Sequence, residues 1–489
     1  MRHNANKFIL ILVFVSIGGF FYSHGLADEY IQVPGLIDLR TDFSDGSHSL
    51  EYLIQLAKKR GFTVLFINDH DRKVLEYGIR PFQNIFRKRV EESSINKGGA
   101  ENYLNMIKSA SKRHPEMILI PGAESAPFYY WKGSYLKKNL TVCNWERHLI
   151  IVGLEKPEDY KKLPILNNGF SSGYISSHIS IVSLLMFIPF FIGLLMIKRK
   201  GVIRYSGIII VVLSLLLLIN NHPFKSSPFD QYHGNQGIAP YQLLIDYVNS
   251  RGGMVFWNHP ETKSGRGKLD FIFKDTPPYP QVLTESRNYT GFASLYGDII
   301  TITEPGNIWD QVLTEYCSGQ RATPAWGISC ADYHEEGLAG GKLGKYPTIF
   351  LVKNRTKKEI LEALRKGRIY AYLGYIRSPR LILENFSVTD SGTSLKAIMG
   401  EEISLKGFPR IDIRISTSGL EQGNSVSVRL IRSGKLLKTF SGKTPLDIFF
   451  KDEYREPKKK VYYRLDVKDK KGGSLVSNPV FIEFLTQNK

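Results

Sequence analysis

Five stretches of the chain end on residues that can bind cations or move protons. "TVLFINDHD" ends in Asp69, His70 and Asp71, "MILIPGAES" delivers Glu124, and "GMVFWNHPE" delivers His259. "DIITITEPG" carries Glu304, and "PAWGISCADYH" ends in Asp332 and His334. Imidazole and carboxylate groups together suit divalent cations such as zinc, manganese or iron. A carboxylate can bridge two ions, and a multinuclear site can then hold a phosphate oxygen and activate water. Taken singly, each histidine would serve as well as a hydrogen-bonded core residue, and Asp45 or Asp69 as an ordinary turn residue. Their recurrence at successive run ends points instead to one shared site.

The apolar runs before these residues have the length of buried strands, and helical segments separate them. In "SLEYLIQLAKKRG", Ser49 is placed to cap a helix that aligns Leu50, Leu53, Ile54 and Ala57, with Gly61 as its stop. "APYQLLIDYVNSRGG" and "TKKEILEALRKG" read the same way. Such alternation predicts an α/β domain with a mainly parallel sheet, whose strand carboxyl ends form the reactive face. From about residue 379 the pattern changes. "SVSVRLIRSGKLLKTF" reads as two strands around a turn at Ser433 and Gly434, and "VYYRLDVKD" sets Tyr463, Leu465 and Val467 against Tyr462, Arg464 and Asp466. These features predict a β-sandwich of immunoglobulin-like type over 379–489, suited to packing or to recognising a protein partner.

The 489-residue chain has a formal charge of +19, which favours anionic surfaces or phosphates without specifying a fold. Its cysteines, Cys143, Cys317 and Cys330, lack the close spacing of a zinc ribbon or redox motif. A basic start and the apolar run at 8–21, followed by small Gly25 and Ala27, predict a signal peptide or signal anchor over 1–27. Two further apolar runs, 180–197 and 202–219, flank Lys198, Arg199 and Lys200. Their lengths predict a transmembrane hairpin over 176–222 with its basic tip in the cytoplasm. The soluble parts, 28–175 and 223–378 with the β-domain after them, would then lie on the extracytoplasmic, periplasmic side of the cell membrane.

In their order along the chain these motifs resemble the PHP family, the polymerase and histidinol phosphatase metallohydrolases. The resemblance covers 35–373 and treats the apolar hairpin as an insertion. It implies a distorted (β/α)7 barrel, a divalent-metal site and phosphoester hydrolysis. "INDHD" is similar to the family's T-D-H-D and makes His70 a ligand. "PGAE" matches G-x-E and makes Glu124 the bridging carboxylate. "ERHLIIVGL" supplies His148, which precedes a strand rather than ending one. "WNHPE" supplies His259, and "ADYH" supplies Asp332 and His334. The family opens with H-x-H and then S-D-G. Aligned on "FSDG", this chain has Asp38 and Arg40 at the two histidine positions and Asp45 at the next ligand.

Asp38 can still ligate a hard cation, but a guanidinium has no lone pair to give and keeps its charge. The resemblance therefore implies two ions in place of three. One is held by Glu124, His148 and His259, the other by Asp45, His70 and His334. Arg40 is expected to substitute for the missing charge and to clamp a substrate phosphate or carboxylate. Asp69 and His70 are expected to act in catalysis, and Glu304 beside the substrate. Arg87, Lys88 and Arg89 in "NIFRKRVEE" offer either further anion attraction or an exposed helix face. The expected substrate is a phosphorylated small molecule or polymer; nucleic acid fits poorly with an exported chain. The competing expectation is a non-catalytic binding or sensing protein with a decayed site.

Overall fold

The computed structural model describes residues 30–486 apart from 180, 182–184, 338–340, 375–379, 394 and 419–422. The expected signal segment over 1–27 lies outside the described residues.

Seven strands carry the polar residues: β1 (Ile31–Leu39), β2 (Val64–Ile67), β3 (Ile118–Ser125), β4 (Leu149–Val152), β5 (Met254–Trp257), β6 (Gly291–Leu295) and β7 (Trp326–Ser329). They lie in the order β7-β6-β5-β4-β3-β2-β1. The sheet is less uniformly parallel than the alternation predicts. Its β1-β2-β3 and β5-β6-β7 pairings are parallel, whereas β4 runs antiparallel to both β3 and β5. Beyond β7 the chain returns to β1: Ala331 N–H donates to Ile37 O at 3.0 Å and Arg40 N–H to Tyr333 O at 2.9 Å. The last strand of the set thus meets the first at the end where the polar residues gather.

Both faces of these strands are covered, which explains their nearly continuous apolar sequence. Along β2, Val64 and Phe66 face one core with Ile120, Ile150 and Phe256. Leu65 and Ile67 face the other, with Leu53 and Ala57 of α1 (Leu50–Lys59) and Tyr103 and Ile107 of α2 (Ala100–Arg113). Ser49 caps α1 as its sequence predicts, its side chain accepting from Tyr52 N–H at 3.3 Å.

Two expected local structures differ. "DIITITEPG" forms no strand; β6 lies upstream, so Glu304 does not stand at a strand end. Arg87, Lys88 and Arg89 belong to a strand, Arg87–Glu91, paired with Val74–Gly78. Arg87 and Arg89 there pair with the buried carboxylate of Glu76, at 2.7 and 3.4 Å.

Within the apolar hairpin, α3 (Phe187–Ile197) packs on α4 (Val202–Asn220). Gly207 lets them approach, since a Cβ there would lie 2.8 Å from the Gly193 carbonyl oxygen. Among the described residues one helix, α4, is long and apolar enough to cross a membrane. α3 has 11 residues, a length of about 16 Å; residues 180 and 182–184 of the expected first run lie outside the described residues. The end of α4 is tied to the loop at 79–86. Asn84 N–H donates to Asn220 Oδ1 at 2.8 Å, and Asn220 Nδ2 donates to Pro81 O at 3.2 Å.

The large sheet continues past β1 through β8 (Pro347–Val352) and β9 (Ile369–Leu373) into the C-terminal strands. β9 pairs with the strand Ser474–Ser477, Tyr370 opposite Ser477 and Ala371 opposite Val476. A four-stranded sheet that includes Leu381–Asp390 and Pro409–Thr417 shares an apolar core with this extension, through Phe386, Ile413, Leu465 and Ile482. The Ser433-Gly434 turn forms as read, with φ of 45° and 79°. The other face of Lys460–Asp469, however, is not solvated. Arg464 is fully buried and donates to Asp310 Oδ1 at 2.8 Å and Oδ2 at 2.7 Å, at the start of the helix Ile308–Cys317, and to Asp466 at 3.1 Å. Among the described residues, removing it leaves buried Asp310 with no cation and Asp466 with Arg429 as its remaining one. Arg464→Met is therefore expected to lower unfolding stability by about 3–5 kcal/mol in a urea titration.

Candidate metal centre

The turn after β1 is built around a buried carboxylate. Asp69 Oδ1 accepts from Thr41 N–H at 2.8 Å and from Ser44 Oγ at 2.6 Å, and its Oδ2 accepts from Thr41 Oγ1 at 2.8 Å. A Cβ at Gly46 would lie 2.6 Å from the Arg40 carbonyl oxygen, so the turn closes only with glycine. The result fixes Asp45 over the end of β2. Burial raises the Asp69 carboxyl to about 6 despite these donors. Asp69 is fully buried and does not line the cavity; its bonds hold the turn that carries Asp45.

Asp45, His70 and His334 converge, their ligating atoms within 4.8 Å of one another. Asp45 Oδ2 lies 3.2 Å from His70 Nε2 and 3.5 Å from His334 Nε2. Glu124, His148 and His259 form a second group with the same limit of 4.8 Å. Glu124 Oε1 lies 3.1 Å from His148 Nδ1 and 3.5 Å from His259 Nε2, while Oε2 lies 3.5 Å from His70 Nδ1. One carboxylate thus faces both groups. The antiparallel course of β4 explains why His148 precedes its strand: the amino end of β4 lies beside the carboxyl ends of β3 and β5.

Asp38, Glu124 and Asp332 make a third group. Its centre is filled by Arg40, which is completely buried. The guanidinium contacts Asp38 and Glu124, lies 3.6 Å from Asp332 and 3.9 Å from Asp45, and donates to Asn68 O at 2.7 Å. Asn258 Nδ2 donates to Asp38 at 2.8 Å and to Glu124 at 2.5 Å; Cys330 Sγ donates to Asp38 at 2.9 Å. Burial acts to raise the Glu124 carboxyl, but the charge of Arg40 and the bonds to His148 and His259 hold it well below its usual range. Arg40 does not line the cavity, so the expected clamp on substrate is corrected: its charge is spent on carboxylates. Glu304 is also displaced from the site and accepts from Arg429 at 2.6 Å.

The cavity above the two groups has a volume of about 260 Å³. His70, Glu124, His148, His259, Asp45, Asp332 and His334 line it, as do three cations absent from the sequence reading, Arg72, Lys73 and Lys274. Lys73 Nζ lies 3.0 Å from Asp45 and 2.8 Å from Glu92. The signal for Lys73 was its place two residues after "DHD" at the end of β2. Lys274 had none, because it comes from a separate small sheet.

Two sets of one or more carboxylates with two imidazoles fit two divalent cations, and a buried guanidinium in the third set does not admit another. No family model and no curated protein matches the chain. Solved structures similar to it include a two-domain protein from Bacteroides vulgatus containing a predicted PHP-like metal-dependent phosphoesterase. It is 12% identical, with 93% of this chain and 96% of that one covered and a TM-score of 0.36. Another is a candidate metal-dependent phosphoesterase from Bifidobacterium adolescentis, 14% identical, covering 67% of this chain and 96% of that one, with a TM-score of 0.30. This chain's own side-chain geometry, rather than these similarities, carries the functional reading.

Two measurements follow from the site. Burial lowers the basicity of His259, but its bond to Glu124 and the charges of Asp332, Glu124 and Asp38 raise its pKa to about 9. The metal-free imidazole is thus protonated at neutral pH and must lose that proton to ligate. Manganese affinity is expected to rise with pH, by up to about tenfold per unit below 9 for each proton released, and calorimetry in buffers of different ionisation enthalpy will register the release. Arg40→Met leaves the third carboxylate group without its cation. In chelator it should cost about 3–5 kcal/mol of stability, and with manganese the variant should hold one more ion per chain than the parent by mass spectrometry.

Proposed function

We propose that the chain is a metal-dependent phosphoesterase of PHP type, its seven strands forming the distorted barrel of that family and its apolar hairpin tethering it to a membrane. The single observation that carries this is Glu124, whose two oxygens face two separate groups of ligands at the floor of one cavity lined by carboxylates, imidazoles and three cations. Divalent cations bound there supply Lewis acidity and lower the pKa of a water molecule. The chain's residues do the rest. Lys73, Arg72 and Lys274, paired at rest with Asp45 and Glu92, Glu91 and Glu146 respectively, orient a phosphate entering the cavity by exchanging those partners for its oxygens. Arg40 keeps Glu124 ionised and fixed between the two groups. Asp45, held well below the usual carboxylate range by His334 and His70 against the effect of burial, stays an anion across neutral pH.

The basic segment Lys198-Arg199-Lys200 between α3 and α4 supports a cytoplasmic tip, with the cavity on the extracytoplasmic side. Extracytoplasmic exposure makes nucleic acid a poor substrate class. The C-terminal strands could still receive a protein partner, though their Arg464 face is already occupied.

Purified full-length chain is expected to hold two divalent ions and to release phosphate from a simple aryl phosphate. His259→Ala should lower kcat about a hundredfold or more. Metal-free protein, or turnover indifferent to His259→Ala, would instead favour the non-catalytic binding reading.

A further inference from the structure

The cavity wall carries an apolar element that a phosphate alone does not require. Leu269 lines the cavity and belongs to a small hairpin, Arg266–Leu269 paired with Ile272–Asp275. At the hairpin tip, Phe271 is 78% exposed. This hairpin is the edge of a four-stranded sheet that continues through Thr141–Cys143 to Tyr130–Lys132. From there Trp131 N–H donates to Gln231 O at 3.0 Å and its indole N–H to Glu76 O at 2.8 Å, while Gly78 N–H donates to the Tyr232 hydroxyl at 2.9 Å. Glu76 and Gly78 belong to the strand whose turn holds Asn84 against Asn220, the last residue of α4. One hydrogen-bonded belt therefore runs from the cavity rim to the foot of the apolar helices.

Exposed apolar side chains concentrate on this belt. Ile79, Phe86, Leu136 and Phe170 stand out along it, with Leu136 91% exposed, together with Leu269 and Phe271. Outside the belt and the apolar hairpin, the described residues up to 373 expose large apolar side chains at Tyr52, Ile299 and Phe224, the last just beyond the hairpin. Apolar and aromatic groups beside basic ones are what a protein surface presents to the head-group layer of a bilayer. Here Lys268 and Lys274 accompany Leu269 and Phe271 on the rim hairpin.

We propose that the substrate is amphiphilic: a phosphomonoester head group carried on a membrane lipid, presented to the cavity by a belt that rests on the bilayer. This rests on the phosphoesterase and membrane-tether readings above. The cavity with its two ligand groups takes the phosphate, and Leu269 and Phe271 take the first part of the apolar chain. Water adds to phosphorus, the bond from phosphorus to the lipid oxygen breaks, and that oxygen takes a proton, giving inorganic phosphate and the lipid alcohol.

The test uses the full chain in phosphatidylcholine vesicles containing phosphatidic acid, with p-nitrophenyl phosphate as a water-soluble comparison. Phe271→Ser, outside the cavity lining, is expected to slow phosphate release from phosphatidic acid about tenfold and leave p-nitrophenyl phosphate turnover unchanged. The unchanged rate also shows that the variant folds. In a Cys317→Ser background, a fluorophore on Phe271→Cys should be quenched by brominated phosphatidylcholine, and one on Tyr52→Cys should not. Three results would overturn the proposal: hydrolysis of p-nitrophenyl phosphate but not phosphatidic acid, equal loss on both esters, or no quenching at position 271. Failure of the parent chain to hydrolyse either ester would overturn the phosphoesterase reading, and this proposal with it.

Discussion

The guanidinium of Arg40 sits at full burial among Asp38, Glu124, Asp332 and Asp45, and the site is organised around that fact. Carboxylates this close cannot all stay ionised in a poorly solvated interior without a compensating charge. A guanidinium supplies one that neither titrates nor dissociates. Its burial would be costly alone, but here several anions and the Asn68 carbonyl answer it. Asn258 and Cys330 occupy the donor directions that Arg40 leaves open on Asp38 and Glu124. The backbone yields to this packing: Asp38, His259 and Asp332 adopt φ of 73°, 27° and 41°, values that L-residues hold only where their surroundings enforce them.

Much of this centre was legible in the sequence because strand geometry is regular. A run such as "TVLFI" before "NDHD" fixes where the polar residues emerge, and four of the five such runs deliver residues that converge. His148 was readable as a ligand only through the family resemblance, since its position before a strand makes sense once β4 is known to run against its neighbours. Pairing direction is a long-range property that local pattern does not encode. The same blindness misplaced Glu304, whose partner Arg429 lies more than a hundred residues away. Arg40 was recognised as unusual from its position, but its reach was not. Whether a long side chain points into a cavity or into the protein depends on where the other carboxylates fall.

The cations of the cavity illustrate a further limit. Lys73 and Lys274 reach one space from segments two hundred residues apart, and neither belongs to a motif. Charge composition announces anion affinity for the whole chain without saying where it is spent. Conversely, the alternation along Lys460–Asp469 does not say what its Arg464 and Asp466 face meets. Their mutual pairing with Asp310 permits burial that either alone would resist.

The ladder between β9 and Ser474–Ser477 also limits how the chain can be divided. A fragment cut after β9 would leave the backbone donors and acceptors of Ile369–Leu373 open along one edge, in a strand almost wholly apolar. Such an edge is a template for pairing with other molecules of the same fragment. A protease clipping between the two regions would therefore release not a soluble catalytic piece but a sticky one, which makes the C-terminal strands a built-in guard against self-association.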